Sequence, residues 1–369
     1  MIMKKNFKDL KIALVHDWLS SFGGAERVLL SLHELFPNAP IYTSVYNKKK
    51  LLQFKNTQVI TSFINKIPLA KKRPQLFIGL MPKAFESFDL SDYDLVISNV
   101  HACAKGVKVN SNAIHICICH TPIRYVWLPE IDLRLTGPRL KRIKNITRNY
   151  LKKWDFKAAQ KVDYFIGNSK TVAKRIKKFY MRDADYIYPP VPTRFFKPVK
   201  SRNEIKDYFL YVGRLVDYKK PVLVIQTFNK LGFPLKIIGA GPLKNNLIKI
   251  AKKNIEFLGH INDDELKKLY AEARAFIFPT EEDFGIVPIE AMASGRPVIA
   301  YNKGGATETV IPGVTGEFFE NQTVSSLYET VKKFKPDKYN IQTIRKQAKK
   351  FDETIFKRKI LSYIESKIN

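Results

Sequence analysis

Residues 278–295 read Phe-Pro-Thr-Glu-Glu-Asp-Phe-Gly-Ile-Val-Pro-Ile-Glu-Ala-Met-Ala-Ser-Gly. The apolar run at residues 275–278 predicts a buried strand, and the acidic residues and glycine that follow predict a loop. Pro288 suits the first turn of a helix and Gly295 suits its end, so we predict a short helix that starts near Pro288 and stops at Gly295. This succession of strand, loop and helix is typical of a parallel α/β unit.

Two glutamates flank this loop: Glu282 lies at its start and Glu290 lies in the first turn of the predicted helix. Backbone N–H groups at a helix start bind anionic or hydroxyl oxygens, and a carboxylate suits the two hydroxyls of a ribose. The pattern therefore favours a ligand with hydroxyls at both ends and phosphates between them. A structural alternative stays open, in which Glu290 interacts with the helix dipole and residues 281–283 form a solvated acidic loop.

The same alternation of strands and helices extends over most of the chain. Short apolar runs predict further strands at residues 10–15, 40–44, 57–61, 95–99, 113–119, 164–167, 209–213, 235–239, 255–258 and 298–301. Helical periodicity predicts helices at residues 25–36, 243–251, 263–273, 322–334 and 340–368. We therefore predict doubly wound α/β architecture throughout.

Three prolines, at positions 189, 190 and 192, interrupt the alternation and stiffen the chain. We place a domain boundary between them and residue 207. The chain then has two α/β halves of similar size, and its 369 residues suit two domains. In such a protein the ligand site is expected in the cleft between the halves, at the carboxyl ends of the strands.

The composition excludes several classes of protein. With 45% hydrophobic and 27% charged residues the chain is neither disordered nor a disulfide-stapled mini-protein. It has no apolar run long enough to span a bilayer, and its first ten residues lack the apolar core of a signal peptide, so we expect a cytoplasmic protein. Cys103, Cys117 and Cys119 form no Cys-x-x-Cys pair, which predicts reduced, mostly buried thiols and no zinc site.

The net charge of +30 is unevenly placed. Residues 1–200 hold 36 basic and 14 acidic residues (+22), whereas residues 201–369 hold 28 and 20 (+8). This difference indicates that the first half faces an anionic surface. A lysine-rich genome is the alternative, although it does not explain the uneven placement. The chain lacks the interleaved aromatic and basic pattern of a nucleic-acid module, so we predict no nucleic-acid partner.

Several motifs in the sequence resemble those of glycosyltransferase family 4. The stretch from Glu282 to Ala300 is similar to the signature of that family. The further matches are Val15-His-Asp-Trp-Leu19, Gly23-Gly-Ala-Glu-Arg27, His120-Thr-Pro-Ile-Arg124-Tyr-Val-Trp127, Tyr211-Val-Gly-Arg214-Leu-Val-Asp-Tyr-Lys219, Ile238-Gly-Ala-Gly-Pro242, Gly304-Gly-Ala-Thr-Glu308 and Gly313-Val-Thr-Gly316. The element from His120 to Trp127 resembles a signature of the mannosyltransferase branch.

The resemblance implies a GT-B fold, in which two Rossmann-like domains face each other across a cleft. It places an N-terminal, acceptor-side domain at residues 1–195, a nucleotide-sugar domain at residues 196–350, and a helix at residues 351–369 that crosses back to the first domain. It also implies a retaining transferase that moves mannose from GDP-mannose to a glycan or lipid-linked acceptor in cell-surface polysaccharide synthesis. A UDP-sugar transferase of glucose, galactose or N-acetylglucosamine and a nucleotide-sugar epimerase remain alternatives.

The resemblance also implies roles for residues of the second half. Arg214 and Lys219 are expected at the diphosphate, where positive charge stabilises the leaving group. We expect Glu290 at the ribose hydroxyls and Glu282 at hydroxyls of the donor sugar. The backbone amides of Phe284, Gly285 and Ile286 are expected at sugar hydroxyls and phosphate. We predict no cofactor and no metal, since Arg214 and Lys219 replace a cation. An Asp-x-Asp pattern at Asp92 and Asp94 precedes a strand and is interpreted as a turn.

Residues of the first half complete the expected site. Gly23 and Gly24 are predicted to end a strand and open a helix whose start admits the diphosphate or the acceptor. By resemblance, His120 contacts the donor sugar, Arg124 meets an acceptor phosphate, and His16 is a weaker candidate of the same kind as His120. A buried histidine with a purely structural role is the alternative for His120.

Residues 139–182 contain 15 basic and only two acidic residues. Apolar positions at 140, 143, 150, 151, 154 and 158 follow helical spacing within this segment. A basic amphipathic helix is typical of proteins that dock on anionic lipid, so we expect a peripheral protein on the inner leaflet of the plasma membrane. A core-packed helix with a solvated outer face is the alternative.

Overall fold

The computed structural model describes residues 10–129 and 141–368, and it divides into two α/β units. The first unit comprises Met1–Pro190 with Phe356–Asn369, and the second comprises Val191–Ile355. These bounds differ by a few residues from the predicted 1–195, 196–350 and 351–369. The reason is local: the Val191 amide donates to the Phe351 carbonyl at 3.0 Å, and the Thr193 hydroxyl donates to Asp352. These hydrogen bonds hold residues 191–195 and 351–355 in the second unit.

The first unit contains a parallel sheet in the strand order β3-β2-β1-β5-β7-β8-β9. Its strands are β1 (Ile12–His16), β2 (Ile41–Thr43), β3 (Val59–Thr61), β5 (Leu95–Val100), β7 (Ile114–Cys119), β8 (Tyr164–Gly167) and β9 (Asp185–Tyr186). Two short strands, β4 (Asp89–Leu90) and β6 (Lys108–Val109), pair apart from it. The central strands are buried on both faces, as their continuous apolar sequences predict.

Helices cover both faces of this sheet. They are α1 (Gly24–Leu35), α2 (Met81–Glu86), α3 (Arg124–Trp127), α4 (Lys141–Gln160) and α5 (Lys170–Tyr180). Helix α1 buries Val28, Leu29 and Leu32 at helical spacing against β1 and β5. The predicted start of α4 at residues 139 and 140 lies outside the described residues. All three cysteines are buried, free thiols, as predicted.

The last helix of the chain packs in the core of the first unit. Helix α13 (Glu353–Ile368) buries Phe356, Ile360 and Ile364 in the same apolar cluster as Leu14 of β1. The helix that the resemblance sends back to the first domain therefore packs there from Phe356 onward.

The second unit contains a parallel sheet in the strand order β12-β11-β10-β13-β14-β15. Its strands are β10 (Phe209–Val212), β11 (Leu235–Ile238), β12 (Ile255–Gly259), β13 (Ala275–Phe278), β14 (Val298–Tyr301) and β15 (Gly316–Phe319). Relative to the chain order within the unit this is 3-2-1-4-5-6, the order of dinucleotide-binding folds. The predicted doubly wound architecture is confirmed in both units.

Among the described residues, five α-helices of the second unit connect these strands, and two more follow the last strand. They are α6 (Pro221–Leu231), α7 (Lys244–Ile250), α8 (Asp263–Glu272), α9 (Ile286–Ala293), α10 (Ala306–Thr309), α11 (Val324–Lys333) and α12 (Ile341–Lys349). Across the described residues, no helix combines the length and the apolar character that crossing a bilayer requires.

Two predicted helices differ from the structure. The single helix predicted at residues 340–368 is divided, because the Asp352 carboxylate accepts the amide and hydroxyl of Thr354 and starts a new helix. The helix predicted to start near Pro288 begins at Ile286, two residues earlier, with Gly285 as its N-cap. Glu290 is consequently not in the first turn.

Candidate active site

The predicted donor-binding residues lie at the point where the strand order of the second sheet reverses. That point falls between β10 and β13, which are neighbours in the sheet but not in the chain. Arg214 follows the carboxyl end of β10, and Glu282 follows the carboxyl end of β13. Ligands of open α/β sheets bind at such reversal points, so the topology places both residues where a ligand is expected.

Residues in β10 and just after β13 hold Lys219 in position. It ends a short 3-10 turn, Asp217–Lys219, and its carbonyl accepts hydroxyl hydrogen bonds from Tyr211 and Thr280, each at 3.2 Å. Its ammonium forms an ion pair with the Glu282 carboxylate, and both side chains are largely buried. Two residues 63 positions apart in sequence are therefore in direct contact, which sets a cation beside the acidic loop.

Arg214 is exposed and lies beside the same turn. Its guanidinium donates to the Tyr218 hydroxyl and lies 5.8 Å from the centre of the Tyr218 ring. The Lys219 ammonium lies 5.5 Å from that ring centre. Both cationic side chains thus lie within 6 Å of the centre of the Tyr218 ring, and two cations beside one turn suit a diphosphate.

The acidic loop is held by the glycine pair that follows β14. The Gly305 amide donates to the Glu282 carbonyl at 2.8 Å. A side chain at Gly305 would approach the Phe284 backbone to 2.3 Å, so the two backbones pack in direct contact. The ring of Phe284 is buried, with its centre 5.7 Å from that of the Phe351 ring, so the side chain anchors the loop in the apolar interior.

Gly285 adopts a left-handed conformation, with φ +89°, that favours glycine. It turns the loop into α9, whose first amides, from Ile286 onward, have no acceptor inside the helix. The predicted amide donors therefore stand at a helix start, as the sequence indicated.

Glu290 lies in the second turn of α9 and is 8% exposed. The Tyr270 hydroxyl donates to its Oε2 atom at 3.2 Å, and Tyr270 is itself buried against Phe196 and Phe276. A buried aromatic residue thus fixes one oxygen of this carboxylate. The structural alternative, in which Glu290 interacts with the helix dipole, is weakened because the residue lies beyond the first turn.

A second group of polar residues lies in the first unit, at the reversal point between β1 and β5. The Asn99 amide nitrogen donates to the Ala25 carbonyl at 2.8 Å, which orients the amide group. Its Oδ1 atom therefore accepts from His120 Nε2 at 2.6 Å, while His16 Nδ1 lies 3.0 Å from Asn99 Nδ2. His16 and His120, both predicted as site residues, are brought together by Asn99.

Asp17 organises the loop that follows β5. Its carboxylate accepts four backbone hydrogen bonds, at 2.6–2.8 Å, from the amides of residues 101–104. Burial raises the pKa of Asp17, but the nearby His101 and His16 and the backbone donors outweigh it, so the pKa is lowered overall. Asp17 thus remains an anion that fixes His101, whose Nδ1 lies 3.2 Å from it.

Glu26 faces His16 from the first turns of α1, with the Glu26 Oε1 and His16 Nε2 atoms 3.5 Å apart. Burial raises the pKa of Glu26, but the hydrogen bond and the charge of His16 outweigh burial, so the pKa is lowered overall. Gly23 is the N-cap of α1 and Gly24 its first residue. They open a helix as predicted but do not end a strand, because the loop 17–23 separates them from β1.

Arg124 is the first residue of α3 and is half-buried, four positions beyond His120 in the connection that leaves β7. Sequence reasoning missed the residues that position the two groups, namely Asp17 and Asn99 in the first unit and Tyr218, Tyr270 and Thr280 in the second. Asp17, Asn99 and Thr280 each lie at or just beyond the carboxyl end of a central strand, and that position was an available signal. No sequence pattern indicated that Tyr270 contacts Glu290.

Two family models match the chain in succession. The Glycosyltransferase Family 4 model matches residues 22–195, and the Glycosyl transferases group 1 model matches residues 193–354. The alpha-1,3/1,6-mannosyltransferase ALG2 of Dictyostelium discoideum is 24% identical, over 92% of each chain. The capsular polysaccharide biosynthesis glycosyltransferase CapM of Staphylococcus aureus is 31% identical over 44% of this chain, and the match spans less than half (46%) of that relative.

Among solved structures, HepE of Anabaena in complex with UDP and glucose has a TM-score of 0.70 at 18% identity, covering 97% of this chain and 100% of that one. The fold and these matches define a glycosyltransferase of the GT-B fold. The two family models and the match to ALG2 further support a hexosyltransferase of glycosyltransferase family 4.

Proposed function

We propose that this glycosyltransferase moves mannose from GDP-mannose, with retention of configuration, to a lipid-linked or glycan acceptor in cell-surface polysaccharide synthesis. One observation carries the proposed donor site: Lys219 and Arg214 lie at one turn after β10, with Lys219 paired to Glu282 of the loop before α9. The relatives ALG2, named as a mannosyltransferase, and CapM, named for capsular polysaccharide, support the sugar and the pathway.

In the proposed reaction the bond between the sugar C1 atom and the diphosphate oxygen breaks, and C1 bonds to an acceptor hydroxyl oxygen. Negative charge grows on the departing diphosphate, where the Arg214 and Lys219 charges stabilise it. The acceptor proton passes to a diphosphate oxygen. Glu290 binds the ribose hydroxyls, and Glu282, the loop amides and His120 bind the sugar.

We propose that the two cationic side chains supply the positive charge that a metal supplies in other transferases. Transfer should therefore proceed at an unchanged rate after exhaustive treatment with a chelator. A loss of activity that Mg²⁺ or Mn²⁺ restores would contradict this part of the proposal.

The base of the donor is tested by a thermal-shift screen against GDP, UDP and their sugars, because a ligand that binds only the folded state raises the melting temperature. GDP and GDP-mannose should give the largest shifts. UDP-glucose is the second candidate, favoured by the HepE complex with UDP and glucose. A larger shift with UDP ligands would replace mannose in the proposal.

Variants of the proposed donor site test the reaction itself. Glu290→Gln or Arg214→Ala should each lower turnover by at least about tenfold, equivalent to about 1.4 kcal/mol. Glu329→Gln, a largely exposed carboxylate on α11, is the matched control and should keep the wild-type rate. Wild-type turnover in either site variant would contradict the assignment. Donor consumption without any requirement for an acceptor would favour an epimerase or a hydrolase.

We further propose that the first unit docks on anionic lipid. Helix α4 exposes Ile143 (59%), Ile146 (62%) and Tyr150 (44%), which line an apolar groove of about 670 Å³ with Leu76 and Leu80. Lys144 also lines this groove, and Arg142 and Arg148 lie on the same helix. Exposed apolar side chains among cations suit the interface of an anionic leaflet, which accommodates both.

Liposome co-sedimentation tests this docking. At low salt the wild type should bind anionic vesicles more than neutral ones. The double variant Ile143→Ser with Ile146→Ser should reduce that binding at least about tenfold, since burying each isoleucine in the membrane contributes about 2 kcal/mol. The control is Ile248→Ser with Ile250→Ser, which alters two exposed isoleucines of α7 in the second unit. Equal binding to both vesicle types would contradict the proposal.

A further inference from the structure

A cavity of about 260 Å³ lies at the amino ends of the strands in the second sheet. Asp207 lies just before β10, Arg274 immediately before β13 and Arg296 just before β14, and all three line the cavity. Arg214 and Glu282 lie beyond the carboxyl ends of β10 and β13. The cavity is therefore at the opposite end of the sheet from the proposed donor site.

Four cationic side chains line this cavity, and three of them have carboxylate partners. The ion pairs are Arg274 with Asp207 at 2.6 Å, Lys206 with Glu272 at 2.8 Å, and Arg202 with Asp337 at 3.9 Å. The fourth cation is Arg296.

Arg296 differs from the other three because its charge is buried and has no acidic partner among the described residues. The residue is only 2% exposed, and its Nε and Nη2 atoms have no hydrogen-bond acceptor within the described part of the chain. Burial, and then the charge of Arg202, lower the pKa of Arg296 to about 10, so the guanidinium remains charged at neutral pH. A buried charge without a partner is destabilising, which makes an incoming anion favourable at this position.

The two nitrogens without acceptors form one edge of the guanidinium group. That edge carries two parallel N–H donors, the geometry that a phosphate or carboxylate accepts in bidentate fashion. The cavity is smaller than the pockets of roughly 300–1,000 Å³ that hold drug-sized ligands, so its volume suits a small anion.

We propose that this cavity is a phosphate-binding site in which Arg296 is the principal ligand. Arg202 and Lys206 add to the positive potential at the wall, although their carboxylate partners hold them in place. Both nitrogens of the Arg296 edge are shielded from solvent, so phosphate binding requires the Arg296 side chain to rotate and present this edge to the cavity. The phosphate is either free inorganic phosphate or the phosphate group of a small monoester.

Calorimetry and thermal shift on the full chain test the proposal, with inorganic phosphate and glycerol 3-phosphate as the two probes. One or both probes should raise the melting temperature of the wild type, and the tighter probe identifies the source of the phosphate. Arg296→Met, which removes the charge and keeps much of the volume, should weaken binding at least tenfold. Arg214→Ala should bind the probe as the wild type does, which separates this site from the proposed donor site.

Arg296→Lys provides a second test if the methionine variant does not fold. Lysine keeps the charge but lacks the two-donor edge, so this variant should also lose at least tenfold in affinity. Crystals soaked in phosphate should show the anion within hydrogen-bonding distance of the Arg296 guanidinium. Unchanged phosphate affinity in the folded Arg296 variants, or an anion found only at Arg214 and Lys219, would overturn the proposal.

Discussion

The ion pair between Lys219 and Glu282 places a negative charge where the proposed diphosphate binds. Lys219 must exchange that carboxylate for phosphate oxygens when the donor binds, and the carboxylate repels the diphosphate. We therefore predict that Glu282→Gln separates nucleotide affinity from turnover. The variant should bind a nucleoside diphosphate more tightly but transfer sugar more slowly, because it loses the acceptor for hydroxyls of the donor sugar.

The expected magnitude follows from the burial of the pair. The Lys219 and Glu282 side chains are 16% and 15% exposed. Such a pair lies between exposed ion pairs, which contribute up to about 1 kcal/mol, and buried pairs, whose disruption costs about 3–5 kcal/mol. An effect of about 1.4 kcal/mol predicts an increase of about tenfold in affinity for the nucleoside diphosphate. Turnover should fall by at least about tenfold.

Calorimetry with GDP and UDP measures the affinity, and steady-state transfer measures turnover. Glu281→Gln is the matched control, because it removes the adjacent carboxylate and keeps the Lys219–Glu282 pair. It should change nucleotide affinity little. The reasoning is refuted if Glu282→Gln binds the nucleotide no more tightly than the wild type, or if both variants gain affinity equally.

Three further predictions concern the loop, the second carboxylate and the buried histidine. Gly285→Ala should lower both the melting temperature and the donor affinity, since φ is +89° and Phe278 lies 3.1 Å from the added carbon. The control is Gly313→Ala, where φ is +73° and the added carbon meets open space. It should lower only the melting temperature, by about 2–4 °C, the shift that about 1 kcal/mol produces. Tyr270→Phe should weaken nucleotide binding in calorimetry by about tenfold, because it removes a hydrogen bond to a charged group; unchanged affinity would contradict this positioning role. Burial lowers the pKa of His115 to about 4, so the folded protein holds this histidine neutral where the unfolded chain would protonate it. The free energy of unfolding should therefore be highest above pH 6.5 and fall by about 3 kcal/mol as the pH approaches 4. In denaturant unfolding, His115→Gln should lose less stability between pH 6.5 and 4 than the wild type does. Parallel pH profiles of stability in the two proteins would refute the lowered pKa of His115.

Much of the fold could be predicted because the central strands are buried on both faces and have continuous apolar sequences. Each predicted strand lies within two residues of the observed one. The strands that were missed are short or lie at sheet edges. For example, β9 has two exposed residues, and β15 carries a half-buried glutamate, Glu317, in its centre. Neither has the apolar run on which the prediction rested.

The sequence indicated candidate site residues but not the contacts between them. The position of two glutamates around one loop indicated a ligand for Glu282 and Glu290, and the family resemblance implied a role for Arg214. The pairing of Lys219 with Glu282 depends on the neighbouring positions of β10 and β13, which are far apart in sequence. The contact between Tyr270 and Glu290 depends on how α8 and α9 pack. Such pairings arise from the tertiary structure, and a local pattern does not encode them.

The most direct test is a crystal structure of the protein with a bound nucleotide sugar. The diphosphate oxygens should lie within hydrogen-bonding distance of the Arg214 guanidinium and the Lys219 ammonium, and the ribose hydroxyls should contact Glu290. A nucleotide sugar bound away from all three of these side chains would contradict the proposed donor site and the mechanism built on it.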